Sequence, residues 1–240
     1  MNKVLFFSGL FLLALSAKTT AQVVGSNDAT FNPGTGSNSD VSSVAIQTDG
    51  KILAAGTFTT FNGVSKNRIT RLNSDGSADP TFTVGVGTNN SVYKVGTLAS
   101  GKLLACGQFT TYAGVAAKRV VRINTNGTRD AAFNTSTNAG PNNYVMSFVE
   151  QPDAKIIIVG GFTSYNGVNR YRVARVTTTG ANDATFAPGT GANNNINAVA
   201  LQADGKVIIG GVFTTFNGTS RVRLARLTSA GANDATFVTG

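Results

Sequence analysis

The chain has 240 residues, of which 41% are apolar and only 13% are charged, with a formal net charge of +9. Charged residues make up about 25% of an average soluble domain, so the low value argues against a helical bundle or coiled coil. The chain has no histidine, the usual residue of zinc sites and of acid–base catalysis. Its single cysteine, Cys106, cannot belong to a disulfide framework. Its 15 phenylalanines are enough to fill a core, which argues against disorder.

Residues 1–21 have the pattern of a secretory signal peptide. Lys3 precedes an apolar run over residues 4–15, and small residues follow as far as Ala21. That run is shorter than the roughly twenty residues needed to span a bilayer. We expect cleavage after Ala21, with Ala17 as a second candidate, and the alternative is a buried N-terminal strand. The prediction is a secreted protein, extracellular or on the cell surface, with the periplasm as an alternative and no transmembrane segment.

A repeat of about 51 residues organises the rest of the chain. Its clearest phrase is D-x-T-F or D-A-A-F, with steps of 51, 51, 53 and 51 residues between copies. The copies begin at Asp28, Asp79, Asp130, Asp183 and Asp234. Phrases of the types D-G-K, F-T-x-[FY]-x-G and R-x-x-R advance in the same register. They predict repeats over residues 28–78, 79–129, 130–182 and 183–233, followed by a partial fifth copy over residues 234–240.

Within each repeat the pattern is that of short strands joined by tight turns. In the first repeat the expected strands are residues 41–47, 51–58, 68–73 and 81–84. The turns are marked by Asp49-Gly50, Asn62-Gly63 and Asp75-Gly76. No apolar stripe at helical spacing runs for ten residues, so the prediction is an all-β chain.

Tandem units of three or four strands predict a β-propeller-like array of about four blades. A β-solenoid is the main alternative, but its coils are usually shorter and lack several hairpin turns per repeat. The D-A-T-F copy at residues 28–31 is one more than four blades need. We therefore expect an open array or a fragment of a longer propeller, with a closed four-bladed ring as the alternative. Open edges would allow self-association.

The motif string G-x-F-T-x-[FY]-x-G, R-x-x-R-[LIV] and G-x-x-D-x-T-F, with D-G-K upstream, resembles the delta-60 repeat family. The resemblance covers residues 28–237, with small departures at Ser100, Ala154, Pro80 and Ala132. It implies a β-propeller domain of unknown function in secreted bacterial proteins. It implies no activity.

An arginine precedes the aspartate of four D-x-T-F copies by eight residues. A hairpin folded about the intervening turn places the two side chains opposite each other, and such cross-strand pairs contribute about 0.2–1 kcal/mol. We therefore predict one structural ion pair per blade. The pairs are Arg71–Asp79, Arg122–Asp130, Arg175–Asp183 and Arg226–Asp234.

A second arginine column has no aspartate at a fixed offset. It consists of Arg68, Arg119, Arg172 and Arg223. Lys66, Lys118, Arg170 and Arg221 lie within two residues of these arginines. Copies of one position form a ring in a propeller, so the column predicts a basic rim that would attract polyanions. A solvated strand end is the alternative, and nucleic acid is not an expected ligand because no binding motif accompanies the column.

Groups that would support catalysis or a cofactor are scarce. We predict no catalytic residue, no metal site and no cofactor, because most acids belong to repeated columns and no D-x-D-x-D pattern occurs. The lysine column that starts with Lys51 is interpreted as exposed strand starts, the Asn-rich loops as turns, and Cys106 as an inert core thiol.

The predicted function is a non-enzymatic secreted module for binding or scaffolding, with an unknown extracellular protein or glycan as partner. The alternatives are a carbohydrate- or polyanion-binding protein that uses the basic rim, and a hydrolase or lyase with its site in the propeller funnel.

Overall fold

The computed structural model describes residues 27–134 and 139–237. The predicted signal peptide and the last three residues of the partial fifth repeat lie outside the described residues. The chain divides into residues 1–30 and residues 31–240, and the second unit contains all the described strands. The described residues contain no helix, and hence none long and apolar enough to cross a membrane. The all-β prediction is confirmed.

Each of the four repeats contains the same five strands. The strands of the first repeat are β1 (Val41–Ile46), β2 (Ile52–Gly56), β3 (Thr60–Phe61), β4 (Val64–Ser65) and β5 (Ile69–Leu72). Those of the second are β6 (Val92–Thr97), β7 (Leu103–Gly107), β8 (Thr111–Tyr112), β9 (Val115–Ala116) and β10 (Val120–Ile123). Those of the third are β11 (Val145–Glu150), β12 (Ile156–Gly160), β13 (Ser164–Tyr165), β14 (Val168–Asn169) and β15 (Val173–Val176). Those of the fourth are β16 (Ile196–Leu201), β17 (Val207–Gly211), β18 (Thr215–Phe216), β19 (Thr219–Ser220) and β20 (Leu224–Leu227).

The first, second and fifth strands of each repeat form a three-stranded antiparallel sheet, and the third and fourth form a separate small hairpin. In the first sheet β2 is central, with Leu53 opposite Ala45 on one side and Arg71 on the other. A bulge interrupts the start of the first strand in every sheet. There the backbones approach so closely that a Cβ on Gly56 would lie 1.9 Å from the carbonyl oxygen of Asp40. Glycine is therefore required at the end of the central strand.

The expected fourth strand at residues 81–84 is wrong. After the Asp75-Gly76 turn a single bridge joins Leu72 to Ala78, and the chain then turns at residues 80–81. The reason is the side chain of Asp79, whose Oδ1 accepts hydrogen bonds from the backbone N–H of Thr81 at 2.9 Å and from its hydroxyl at 2.7 Å. This local turn replaces the strand ladder. It directs Phe82 into the core, where it is buried.

The four sheets pack face to face in chain order, and a cluster of buried side chains fills the space between each successive pair. The cluster between the first two sheets includes Leu53, Ile69, Val95 and Leu103. Two equivalent clusters join the second sheet to the third and the third to the fourth. This is the propeller-like arrangement that the sequence predicts. No comparable cluster joins the first sheet to the fourth among the described residues, and no sheet there closes on itself.

Candidate functional site

The most regular polar feature is a carboxylate that receives two cations in every repeat. In the first repeat Arg71 Nε lies 2.7 Å from Asp79 Oδ2, and both side chains are almost fully buried. The equivalent Arg–Asp distances in the later repeats are 2.7, 2.8 and 2.7 Å. The structure thus brings together all four pairs of residues predicted from the offset of eight.

The second cation is a lysine that sequence reasoning assigned to an exposed strand start. Lys51 Nζ lies 2.8 Å from Asp79 Oδ2, and Lys102 Nζ lies 2.7 Å from Asp130 Oδ2. The third and fourth repeats have the same contact at 3.1 and 3.2 Å. The lysines are only partly exposed, so the interpretation as exposed strand starts needs correction. Their constant offset of 28 residues from the aspartate was the signal in the sequence.

These contacts keep the carboxylates ionised. Burial alone would raise the pKa of Asp79, but the hydrogen bonds from Lys51, Thr81 and Arg71 outweigh it and hold the pKa well below its usual range. The same balance lowers the pKa of Asp130 to about 2. A carboxylate held this way at neutral pH can act as a structural anion but cannot donate a proton.

The paired arginine also contacts the next repeat. Arg71 Nη1 donates to the carbonyl oxygen of Thr125 at 2.5 Å, and its guanidinium lies 4.7 Å from the centre of the Phe82 ring. Arg122 and Arg175 make the equivalent bonds to Thr178 and Ser229. The pair therefore joins the last strand of one repeat to the aspartate that begins the next, and its arginine also bonds a carbonyl beyond the following sheet.

The arginines of the predicted basic rim also reach forward along the array. Arg68 Nη1 donates to the carbonyl oxygen of Thr88 at 2.7 Å, and Arg119 and Arg172 donate to equivalent carbonyls of the following repeat at 3.3 and 3.0 Å. All four members have a left-handed backbone, with φ between 61° and 69°. Arg223 differs from the other three because its side chain is exposed. The column therefore consists of three contacts between repeats and one exposed cation.

The Asn-rich loops are organised by one asparagine per repeat. Asn38 Oδ1 accepts hydrogen bonds from the backbone N–H groups of Thr59 and Thr60, at 2.8 and 3.0 Å. The residues that repeat this pair of bonds are Asn89, Asn142 and Asn193. These amides hold the start of the small hairpin and are not available as free ligand-binding groups.

Side chains that break the fourfold repetition meet between the second and third repeats. The rings of Tyr93 and Tyr144 form an edge-to-face pair with centroids 6.3 Å apart, and the Tyr93 hydroxyl donates to Gln108 Oε1 at 3.1 Å. Next to them Lys94 Nζ donates to the carbonyl oxygen of Phe148 at 2.8 Å. Sequence reasoning missed this group because its members are unrelated to the repeated columns.

Neither catalysis by a cysteine thiol nor metal binding is supported by the described side chains. Burial raises the pKa of the Cys106 thiol to about 12, so it stays protonated. In the part of the chain that the structure describes, no three acidic or cysteine side chains converge as metal ligands would.

Comparison with known proteins identifies the repeat. Four segments, residues 47–82, 98–133, 151–186 and 202–237, match the family described as "Domain of unknown function (DUF5122) beta-propeller". Together they make up more than half of the chain. No curated protein matches the chain.

Solved structures of similar fold include extracellular bacterial domains. The extracellular domain of the putative one component system BT4673 from B. thetaiotaomicron has a TM-score of 0.51 and 17% identity, over 88% of this chain and 24% of that one. The extracellular domain of the putative hybrid two component system BT3049 from the same organism has a TM-score of 0.48 and 12% identity, over 81% of this chain and 24% of that one. The WD40 propeller domain of Doa1 has a TM-score of 0.47 and 16% identity, over 72% and 48%. This chain therefore spans less than half the length of each of these structures.

Proposed function

Because the chain belongs to the DUF5122 β-propeller family, we propose that it is a secreted, non-enzymatic module that binds or scaffolds an extracellular protein or glycan. The observation that carries the proposal is a row of exposed valines, Val64, Val115 and Val168, at the same position of the small hairpin in three successive repeats. Each lies just after an Asn-Gly or Ala-Gly turn, on a two-residue strand. Repeated apolar side chains on a rigid scaffold are typical of a contact surface.

The distribution of acids also supports a role without catalysis. The most buried aspartates are the four that receive an arginine and a lysine each, and their lowered pKa values make them poor proton donors. A glycosidase of the common type needs one carboxylic acid with a raised pKa beside a second carboxylate. The hydrolase or lyase reading would require such a pair elsewhere in the chain.

The experiment is a binding panel with a matched variant. Purified protein lacking residues 1–21 is tested for co-sedimentation with chitin, cellulose and peptidoglycan, and for retention on immobilised collagen and heparin. We expect retention on at least one surface, without release of soluble sugar, and loss of retention in the triple variant Val64→Ser, Val115→Ser, Val168→Ser. No retention on any surface, or catalytic release of product, would contradict the proposal.

Polyanion binding is the second candidate, and the exposed side chain of Arg223 favours it. Without residues 1–21 the chain has 18 basic and 11 acidic residues, so long-range attraction to an acidic polysaccharide is expected and should weaken with salt. We expect Arg223→Asn to elute from heparin at lower salt than the wild type. Arg68→Asn removes the same charge from a partly buried guanidinium that already donates to a carbonyl, so its elution should shift less than that of Arg223→Asn. Equal elution of wild type and Arg223→Asn would exclude this arginine from the binding surface.

A further inference from the structure

The repeat is least regular where the first strand of each sheet begins and the central strand ends. Three positions meet there: the residue before the first strand, the second residue of that strand, and the residue after the central strand. In the order of the repeats, the residues at these positions are Asp40, Ser42 and Thr57, then Ser91, Tyr93 and Gln108, then Tyr144, Met146 and Gly161, and finally Asn195, Asn197 and Val212. The next residue along the chain after the third position is a buried phenylalanine in all four repeats. Side chains that vary on a constant scaffold are typical of a binding surface.

In the third repeat, two of these positions are matched to each other. A Cβ on Gly161 would lie 2.5 Å from the ring carbon Cζ of Tyr144, so the tyrosine ring lies directly over the glycine. The backbone of Gly161 is not in the left-handed region, and the other repeats have Thr57, Gln108 and Val212 at this position. The glycine is therefore required by the ring of Tyr144 and not by the conformation of the backbone.

Tyr93 of the second repeat completes a corner of two aromatic rings, which we call the tyrosine corner. Its ring meets that of Tyr144 at an angle of 82°, with centroids 6.3 Å apart, and its hydroxyl is held by Gln108 Oε1 at 3.1 Å. Both tyrosines are partly exposed and Gln108 is exposed. The buried clusters that join the described sheets include neither ring. In an edge-to-face pair the edge of one ring covers one face of the other, which leaves aromatic surface for a ligand.

Uncharged polar groups border the tyrosine corner. Among the described residues the Tyr144 hydroxyl makes no hydrogen bond, and the side-chain nitrogen of Gln108 donates none. The Tyr93 hydroxyl donates to Gln108, so its oxygen can still accept a hydrogen bond. The ammonium of Lys94, the next residue in the chain, is directed to the carbonyl oxygen of Phe148 at 2.8 Å. The groups that border the corner are therefore aromatic or neutral, which suits an uncharged ligand with an apolar face and polar edges.

We propose that the tyrosine corner binds one sugar ring of a neutral glycan made of β-linked glucose or N-acetylglucosamine. The ring substituents of these sugars are equatorial, so axial C–H bonds form apolar faces that can pack on an aromatic ring, and hydroxyls project from the edge. The Tyr144 hydroxyl and the Gln108 amide would hydrogen-bond that edge. The inference rests on the proposed function for the glycan partner, but its site is separate from the exposed valines, which lie on the small hairpins.

The test is isothermal titration calorimetry of the chain without residues 1–21, with cellopentaose and chitopentaose as probes. We expect saturable binding of at least one of them by the wild type. Tyr93→Ala and Tyr144→Ala should each weaken that binding about tenfold, since each removes one wall of the corner. Tyr171→Ala is the matched control, because it removes a partly exposed tyrosine from a different position of the repeat, and it should bind like the wild type. Far-UV circular dichroism establishes that each variant is folded.

Gly161→Ala tests the geometry of the corner without removing any of its groups. Its backbone accepts alanine, but the added methyl must displace the ring of Tyr144, so the variant should fold and bind several-fold more weakly. Tyr144→Phe, which removes one neutral hydrogen bond, should bind about fivefold more weakly.

Two further arms separate this site from the proposed valine surface and from a peptide site. The triple variant Val64→Ser, Val115→Ser, Val168→Ser should bind the oligosaccharides like the wild type, whatever its retention on the surfaces of the binding panel. Decaproline, a probe for peptides that dock on aromatic grooves, should not bind. No binding of either oligosaccharide, equal affinities of the wild type and Tyr144→Ala, or binding of decaproline in place of the sugars would overturn the proposal and leave the valine surface untouched.

Discussion

Asp183→Ala should destabilise the array strongly, because Asp183 anchors four contacts within a largely buried site. Its Oδ2 lies 2.8 Å from Arg175 Nε and 3.1 Å from Lys155 Nζ. Its Oδ1 accepts from the backbone N–H of Thr185 at 3.0 Å and from the hydroxyl at 2.7 Å. Removing it leaves the buried guanidinium of Arg175 without its counter-ion.

Breaking a buried ion pair by removing one partner typically costs about 3–5 kcal/mol. Arg175 keeps hydrogen bonds to the carbonyl of Ser229, to Gln151 and to Thr185, so its charge is only partly uncompensated. Lys155 is partly exposed and can be solvated. We therefore place the loss at the lower end, about 3 kcal/mol. With a urea m-value of roughly 2–3 kcal/mol/M, the unfolding midpoint should fall by about 1–1.5 M.

Asp28→Ala is the matched control, since it removes the same residue from the same D-A-T-F phrase. Asp28 is exposed, and among the described residues its carboxylate accepts hydrogen bonds from Thr30 alone. The change should stay within about 0.5 kcal/mol, as for other exposed positions. Both variants are followed by far-UV circular dichroism in urea. A loss below about 1 kcal/mol for Asp183→Ala, or equal losses in the two variants, would refute the assignment of the buried pairs as a main stabilising feature.

Three further outcomes follow from the repeated columns. Gly160→Ala should strongly lower the stability of the protein in a urea titration, because the added Cβ would lie 2.2 Å from the carbonyl oxygen of Tyr144. Gly210→Ala should be nearly neutral, because its Cβ would meet nothing closer than 3.8 Å. Tyr112→Phe should cost about 1 kcal/mol in the same assay, because the buried hydroxyl donates to a glycine carbonyl at 2.5 Å. The folded-state pKa of Asp130 is depressed to about 2, so its stabilising contribution is complete above the unfolded value near 4 and is lost as the pH falls toward 2. Asp130→Asn should accordingly flatten the dependence of the unfolding midpoint on pH between 5 and 2, and an unchanged slope would contradict that origin.

Much of the fold could be predicted from the sequence because the same strand and turn patterns recur in all four repeats. The turns at Asp49-Gly50 and Asp75-Gly76 and the alternation in residues 41–47 predict the three-stranded sheet. The prediction of a fourth strand at residues 81–84 was wrong because alternating residues with one aromatic side chain are also compatible with a turn. In this turn the aspartate side chain accepts hydrogen bonds from the residue two positions later. That competition depends on the rotamer of Asp79, which the pattern does not reveal.

The polar columns were predictable only where both partners are side chains. The offset of eight identifies Arg71–Asp79 because a tight hairpin brings the two into register. Lys51 contacts the same aspartate from the position just before the central strand, and its constant offset of 28 residues can be interpreted once the strand order is known. The bond from Arg68 to the backbone of Thr88 has no signature in the sequence, because every residue offers a carbonyl oxygen.

The arginine columns also explain why the array holds together with few charges. In the first three repeats both arginines donate forward to backbone carbonyls of the next repeat. The apolar clusters likewise lie between sheets and not within them. A single repeat therefore has neither a complete core nor complete polar contacts, as expected for nearest-neighbour stabilisation. Among the described residues the second and third repeats have a neighbour on each side and therefore have both sets of contacts.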